Sequence, residues 1–236
     1  MLMKLTKRLL AIAGTLLIFA PALFGQSRDY KQWEFFGGYS AMQFDNLGGD
    51  TQNPAVDDVL GGRNTLRGLE VAFTYNFHKY VGATADYSVH FREDNFSRPL
   101  ASGTIDSTIH NVLGGITIKN NTNDGPAFKP FAHALFGFAH QKVDVDSPQL
   151  PALFGISDFH TNETSFAMAF GGGVDWKINH RIDVRAVQVD WNIINRGDQQ
   201  TGIVLRPTPL QTVGQPFVIP GTRQDNLRLS VGIVIH

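Results

Sequence analysis

The chain has no cysteine, which excludes a disulfide framework, a thiolate metal site and a thiol nucleophile. Charge is scarce as well: Asp, Glu, Lys and Arg make up 17% of the residues, against about a quarter in ordinary soluble domains. The charges present nearly cancel, with a formal net of -1, so the sequence shows no electrostatic footprint for nucleic acid. Beyond the first 26 residues no stretch approaches the roughly 18 consecutive apolar residues of a spanning helix. In their place stand 24 glycines and 18 phenylalanines, a composition suited to short strands that face something apolar. A length of 236 residues fits one all-β domain or, less naturally, two small ones.

Residues 1–26 read as a secretory signal. Lys4, Lys7 and Arg8 form a positive leader, Leu9 to Ala20 an apolar run, and Ala20-Pro21-Ala22 a small-residue stretch before a cleavage point. Cleavage nearer Gln26 is the other option, because Ser27-Arg28-Asp29 is already polar. The apolar run is short for an uncleaved anchor. The expectation is a mature domain over 27–236, delivered across an inner membrane.

The mature chain divides into eight stretches of strand character: 33–42, 65–77, 80–91, 104–119, 127–142, 163–178, 181–191 and 224–236. Several alternate with the period of two that gives a strand two different faces. In the third, Val81, Ala83, Ala85, Tyr87, Val89 and Phe91 share one face; Gly82, Thr84, Asp86, Ser88, His90 and Arg92 share the other. In the last, Leu227, Leu229, Val231, Ile233 and Ile235 oppose Arg228, Ser230, Gly232 and Val234. The sixth sets Phe166, Met168, Phe170, Val174 and Trp176 against Ser165, Ala167, Gly171, Gly173, Asp175 and Lys177. A soluble sandwich or lipocalin would bury the large face. Here the small face is Gly, Ala, Ser and Thr with isolated charges, which suits the inside of a narrow eight-stranded barrel better than a solvated surface. Aromatics cluster near strand ends (Trp33, Phe77, Tyr80, Phe91, Trp176, Trp191), as girdles at two membrane interfaces would.

The connections alternate long and short. Residues 43–64, 92–103, 143–162 and 192–223 are long, whereas 78–79, 120–126 and 179–180 are short. Of the 11 prolines, eight (54, 99, 148, 151, 207, 209, 216 and 220) fall in the long connections, and only Pro130 sits in a strand, near its start. An outer-membrane barrel sorts its connections in this way, with short periplasmic turns and long external loops, whereas a soluble sandwich has no reason to. The fold class expected is therefore all-β: an eight-stranded antiparallel up-and-down transmembrane β-barrel with four long external loops.

WEFFGGYS near the mature start, FGGGVDWKINHRIDVR across the sixth and seventh strands, and LRLSVGIVIH at the end resemble the OmpA-type eight-stranded outer-membrane β-barrel domain. The resemblance implies a place in the outer membrane, with its lipid and the outer-membrane assembly machinery as partners, and an interior filled by side chains. Such barrels usually end on an aromatic residue, whereas this chain ends Val234-Ile235-His236, a weaker insertion signal. No room is left after the last strand for a peptidoglycan-binding domain.

Interior candidates on the polar face are Glu34, Glu70, Asp86, His90, His133, Asp175, Asp183, Arg185 and Arg228. Asp183 and Arg185 need one register of the seventh strand while Gln188 and Asp190 need the other, so a bulge is expected near residue 186. Charges in a dry lumen must be paired, and a salt-bridge network that fills and locks the barrel is the simplest reading; an ion path through the lumen is another. Barrel enzymes of this membrane need a Ser or paired carboxylates with a His. The available options are Ser88 with His90, and Ser107 or Ser165 with His110 or His160 across strands, and none has the deacylase spacing of His then Ser. His133 and His140 lie on opposite faces, and Asp45, Asp50, Asp57 and Asp58 do not match a calcium-loop template. No catalytic, cofactor-binding or metal residue and no cofactor is therefore assigned. The expected role is structural or surface contact through the external loops, with a narrow solute pore or an enzyme acting on lipid or peptide as alternatives.

The last long connection is unusually apolar, with Ile203, Val204, Leu205, Leu210, Val213, Phe217, Val218 and Ile219. It is expected to fold over the barrel mouth or to present an adhesive patch. Protease treatment of intact cells should then leave this loop uncut while removing the others, and rapid cleavage within 203–219 would contradict the capping.

Overall fold

The computed structural model describes residues 29–45, 63–97, 102–146, 159–197, 199–204, 216–219, 221 and 223–236. Eight strands close on themselves: β1 (Trp33–Asp45), β2 (Arg63–His78), β3 (Val81–Ser97), β4 (Ser102–Lys119), β5 (Phe128–Asp146), β6 (Phe159–Lys177), β7 (Ile182–Asn195) and β10 (Arg223–Ile235). Each pairs antiparallel with its neighbours in sequence, and β1 with β10 closes the ring from Phe35↔Ile235 to Gln43↔Leu227. Closure removes every free edge in the spanning region, the condition for a sheet to cross hydrocarbon. A separate hairpin, β8 (Gln199–Val204) with β9 (Pro216–Ile219), lies within the last long connection, so that segment is not wholly loop. The side chains of its apolar residues, like Asp50, Asp57 and Asp58 of the first loop, lie outside the described residues.

The alternation falls as expected. Along β10 every odd residue from Arg223 to Ile235 is exposed, and even residues are buried apart from the half-buried Gly232. The wall that meets lipid carries Phe35, Leu69, Val112, Ile118, Phe138, Leu229 and Val231 among its exposed large side chains. Two aromatic rings bound it. Trp33, Phe77, Tyr80, Phe128 and Trp176 lie at the periplasmic strand ends, with Trp33 stacked on Phe73 at 5.4 Å and Phe128 on Trp176 at 5.8 Å. About ten residues further along, the span of one membrane-crossing strand, come Phe91, Phe138, Phe166 and Trp191.

The strands differ from expectation mainly at the external end. β3 runs to Ser97 and β4 starts at Ser102, while β5 runs to Asp146 and β6 starts at Phe159, so these ladders continue past the outer aromatic ring. The β2–β3 register stops at Arg67↔Phe91 and the β6–β7 register starts at Phe166↔Asn195. The outer parts of β3 to β6 thus form a four-stranded sheet that stands above the rest of the ring. Polar sequences such as Arg92–Asn95 read as loop on composition alone, yet in a ladder their backbone groups find partners without apolar burial.

The expected bulge is present. The β10–β7 register shifts between Ser230 and Gly232, and the β7–β6 register between Val174 and Asp175. Ala186 and Val187 both face outward there, so Arg185 and Gln188 both face inward. Deleting Ala186 alone would force Asp183 and Arg185 onto the lipid face. The expected outcome is loss of the band shift between unboiled and boiled samples on a detergent gel, whereas the single substitution Ala186→Val should retain it.

Candidate functional site

The inward side chains stack into storeys. At the periplasmic mouth Lys129 Nζ donates to Asp183 at 2.7 Å, and His236 Nε2 lies 2.9 Å from the same carboxylate oxygen. Deeper, Lys119 bridges Glu34 and Asp175, the latter at 2.9 Å. Arg185 grips Asp175 with two donors, Nε at 2.8 Å and Nη2 at 3.2 Å. Its guanidinium is sandwiched between the rings of Phe36 and Phe131, each 4.2 Å away, so its faces are covered as its edges are bonded. The Phe36 ring lies close over two glycines: a Cβ added at Gly38 would fall 2.7 Å from it, and one at Gly232 would fall 2.8 Å from it.

Gln188 links this storey to the next. Its carbonyl accepts from Arg185 at 2.8 Å, and its amide donates to Glu70 at 2.8 Å and Asp190 at 2.7 Å. At the centre Arg228, wholly buried, donates to Asp190 at 2.9 and 2.7 Å and to Asp86 at 2.9 Å, with Glu70 at 3.6 Å. His133 meets the other Asp190 oxygen at 2.7 Å. Gly171 lies directly opposite Asp190, and a Cβ there would fall 2.0 Å from that carboxylate. Ser230 donates to Glu70 at 2.5 Å and lies 2.9 Å from the Ser40 hydroxyl, which in turn meets His90 Nε2 at 2.9 Å. Six carboxylates (Glu34, Glu70, Asp86, Asp175, Asp183, Asp190) in this set face four full cations and two imidazoles; Lys129, Asp183 and His236 form a cluster of their own at the mouth, and the rest are joined through Gln188.

All nine residues proposed for the interior from sequence are therefore inside, and every one is bonded within this set. Lys119 and Lys129 were missed, although their parity signals them: Lys119 is in step with Asn111 and Thr117, and Lys129 with His133. Charged residues fill only the periplasmic part, while the polar filling continues outward in the buried amides of Asn192, Asn226, Gln141 and Gln224, the last two bonded at 3.1 Å. Toward the loops the lumen is filled by Met42, Phe44, Leu66, Ile109, Leu113 and Ile194, packed against Ala139, Ala167 and Ala169. These apolar residues share the inward parity with the polar ones, so alternation alone could not tell a plug from a wall. Between the storeys remains a cavity of about 20 Å³, room for about one water, flanked by the hydroxyl chain Thr74–Thr84–Thr117 at 2.9 and 2.6 Å.

The candidate catalytic pairs do not assemble. Ser88 meets Arg228 and Asn111, while His90 meets Ser40. Ser107 is buried inside, but His110 faces outward against Tyr87 Oη at 2.9 Å. Ser165 donates to Glu163, and the side chain of His160 lies outside the described residues. His133 is inside and His140 outside. Among the described residues no three His, Asp or Glu side chains are placed to hold a metal ion.

A family model for the outer membrane protein beta-barrel domain matches residues 15–211, most of the chain. The chain belongs to that family. A comparison with curated proteins gives no match. Among solved structures, the outer membrane protein OprG from Pseudomonas aeruginosa is similar at 14% identity and a TM-score of 0.50, over 88% of this chain and 96% of that one. Ail of Yersinia pestis, solved in complex with the heparin analogue sucrose octasulfate, gives 14% identity and a TM-score of 0.46 over 86% of this chain and 98% of its own. Neisserial surface protein A gives 12% and 0.45 over 88% and 99%. At these identities the likeness speaks for the fold alone. The family places this barrel in the outer membrane, with the turns after β2, β4 and β6 in the periplasm and the extended ends of β3 to β6 outside.

The network sets a graded expectation. Arg228→Ala leaves three carboxylates without their shared cation and should cost about 3–5 kcal/mol of unfolding free energy. Removing the half-exposed Arg92, paired with Asp94, should cost about 1 kcal/mol or less. Urea titration of the barrel refolded in lipid vesicles checks both values.

Proposed function

We propose that this protein is a closed, non-enzymatic barrel whose work is surface contact, carried by the four-stranded sheet that β3 to β6 raise beyond the outer aromatic ring. The observation that carries this reading is the one-sided extension. β5 and β6 run 19 residues each, against 13 for β1 and β10, and the excess lies wholly at the external end. A strand needs only about 9–11 residues to cross the membrane, so the remainder serves something outside it.

The lumen supports the same reading. Its storeys are paired, its outer part is packed with apolar side chains and hydrogen-bonded amides, and the cavity between the storeys holds about one water, which leaves little room for solute. The barrel is a post with a filled core, and the filling keeps the raised sheet in a fixed orientation on the cell. Ser88, His90, Ser107 and Ser165 are buried, and the Ser and His candidates do not meet.

Two measurements test this. In planar bilayers the purified barrel should give no conductance steps, and discrete openings would favour the pore reading. In cells of a non-adherent host, the full-length protein should raise adherence to a coated surface. Replacing 94–105 and 144–160 with two-residue Asn-Gly turns should abolish that gain while the barrel still inserts. Undiminished adherence of the shortened barrel would overturn the proposal.

A further inference from the structure

The periplasmic mouth carries a second feature that neither the filled lumen nor the raised sheet uses. A groove of about 530 Å³ opens there, walled by the chain entering β1 (Lys31, Gln32, Trp33), by His180 and Arg181 of the β6–β7 turn, and by His236. No Asp or Glu side chain is among its described lining residues. Among the described residues two of its polar groups are buried with no hydrogen-bond partner: Lys31 Nζ, and His236 Nδ1 on a side chain only 3% exposed. Each such group costs free energy until a partner is supplied. The imidazole is fixed in place, since its Nε2 is held at Asp183 and the His236 backbone donates to Arg181. The Lys31 backbone is likewise held, donating to Asn121 O at 3.0 Å and accepting from Asn76 Nδ2 at 2.9 Å. The unpartnered Lys31 donor and the His236 ring are thus presented by an ordered frame.

From this arrangement we infer that the groove is a binding site for the headgroup of an anionic phospholipid of the periplasmic leaflet, with the phosphate received by Lys31, Arg181 and His236. The charge fits, because three basic side chains besides the lysine, His180, Arg181 and His236, converge with no Asp or Glu side chain among the described lining residues. The position fits a lipid better than a free ion. Trp33, in the same wall, is 44% exposed on the lipid face, stacks on Phe73 and packs against Tyr75 in the periplasmic aromatic ring, so the groove is continuous with the surface where acyl chains lie. A headgroup seated there would lead its chains down the Trp33 side of the wall.

Burial, reinforced by Lys129 and Lys177 and opposed by Asp183 and Glu34, lowers the Lys31 ammonium to about 8. A bound phosphate favours the protonated form, so binding should weaken as pH rises through and above that value. Arg181, His180, His236 and Tyr30 are the other ionisable side chains that line the groove.

The test uses the full barrel in nanodiscs of phosphatidylcholine doped with phosphatidylglycerol, followed by detergent extraction and native mass spectrometry. One phosphatidylglycerol should be retained per barrel beyond the number seen for phosphatidylcholine. Lys31→Ala with Arg181→Ala should reduce that retention at least tenfold, as should raising the pH from 7 to 9.5 by a smaller factor. Neither side chain belongs to the lumen network, and an unchanged boiled–unboiled gel shift confirms that the variant has folded. Equal retention by the variant would overturn the site. Displacement of the lipid by inorganic phosphate at equal concentration would overturn the lipid as its occupant and assign the groove to a free anion.

Discussion

A charge inside a narrow, nearly waterless tube has to meet its opposite there, and the rest of this barrel follows from that constraint. Eight strands leave an interior that side chains fill, so each inward Asp, Glu, Lys or Arg is held by protein groups instead of solvent. Arg228 shows the consequence most fully. It takes up Asp190 and Asp86 directly and lies within reach of Glu70, and those carboxylates come from β7, β3 and β2. One guanidinium therefore ties four strands together across the lumen. Arg185, Lys119 and Lys129 do the same at lower levels, and the bulge at Ala186–Val187 exists so that one strand can contribute to both levels.

The outside of the wall answers a different solvent. Lipid asks only for apolar side chains and a satisfied backbone, which explains why Phe, Leu, Val and Ile are exposed at half their area or thereabouts while Ser40, Ser88, Ser230, Thr84 and Thr117 are buried. The lumen grades from ionic at the periplasmic mouth to apolar under the loops. An ionic filling gives fixed geometry, and an apolar layer of Met42, Leu66, Ile109 and Ile194 keeps bulk water away from it on the external side. The two fillings together make the barrel a rigid support for the sheet it raises.

How much of this was legible in the sequence divides along physical lines. Period-two alternation and the sorting of connections by length report which face and which end a residue belongs to, so the ring, its inside-out polarity and the bulge could be read from residues 181–191 and 223–235. The plug could not, because Leu66 or Ile109 at an inward position looks like any strand residue. Pairing could not either: Arg228 and Asp86 are 142 positions apart, and only closure of the ring makes them neighbours. The raised sheet was hidden because its outer ladders are written in Asn, Asp, Thr and Lys, the vocabulary of loops. The groove at the mouth was invisible for a similar reason, since Lys31, Arg181 and His236 meet only when the first and last strands pair.

The coupling between Arg228 and Asp190 tests most directly whether paired charge holds the interior together. Unfolding free energies of Arg228→Met, Asp190→Asn and the double variant, measured by urea titration in vesicles, close a thermodynamic cycle. Each single change strands a buried partner, so the account predicts that the double variant loses clearly less stability than the two singles summed. Strict additivity would mean that the two groups do not depend on each other, and would contradict the network as the organising interaction of the barrel.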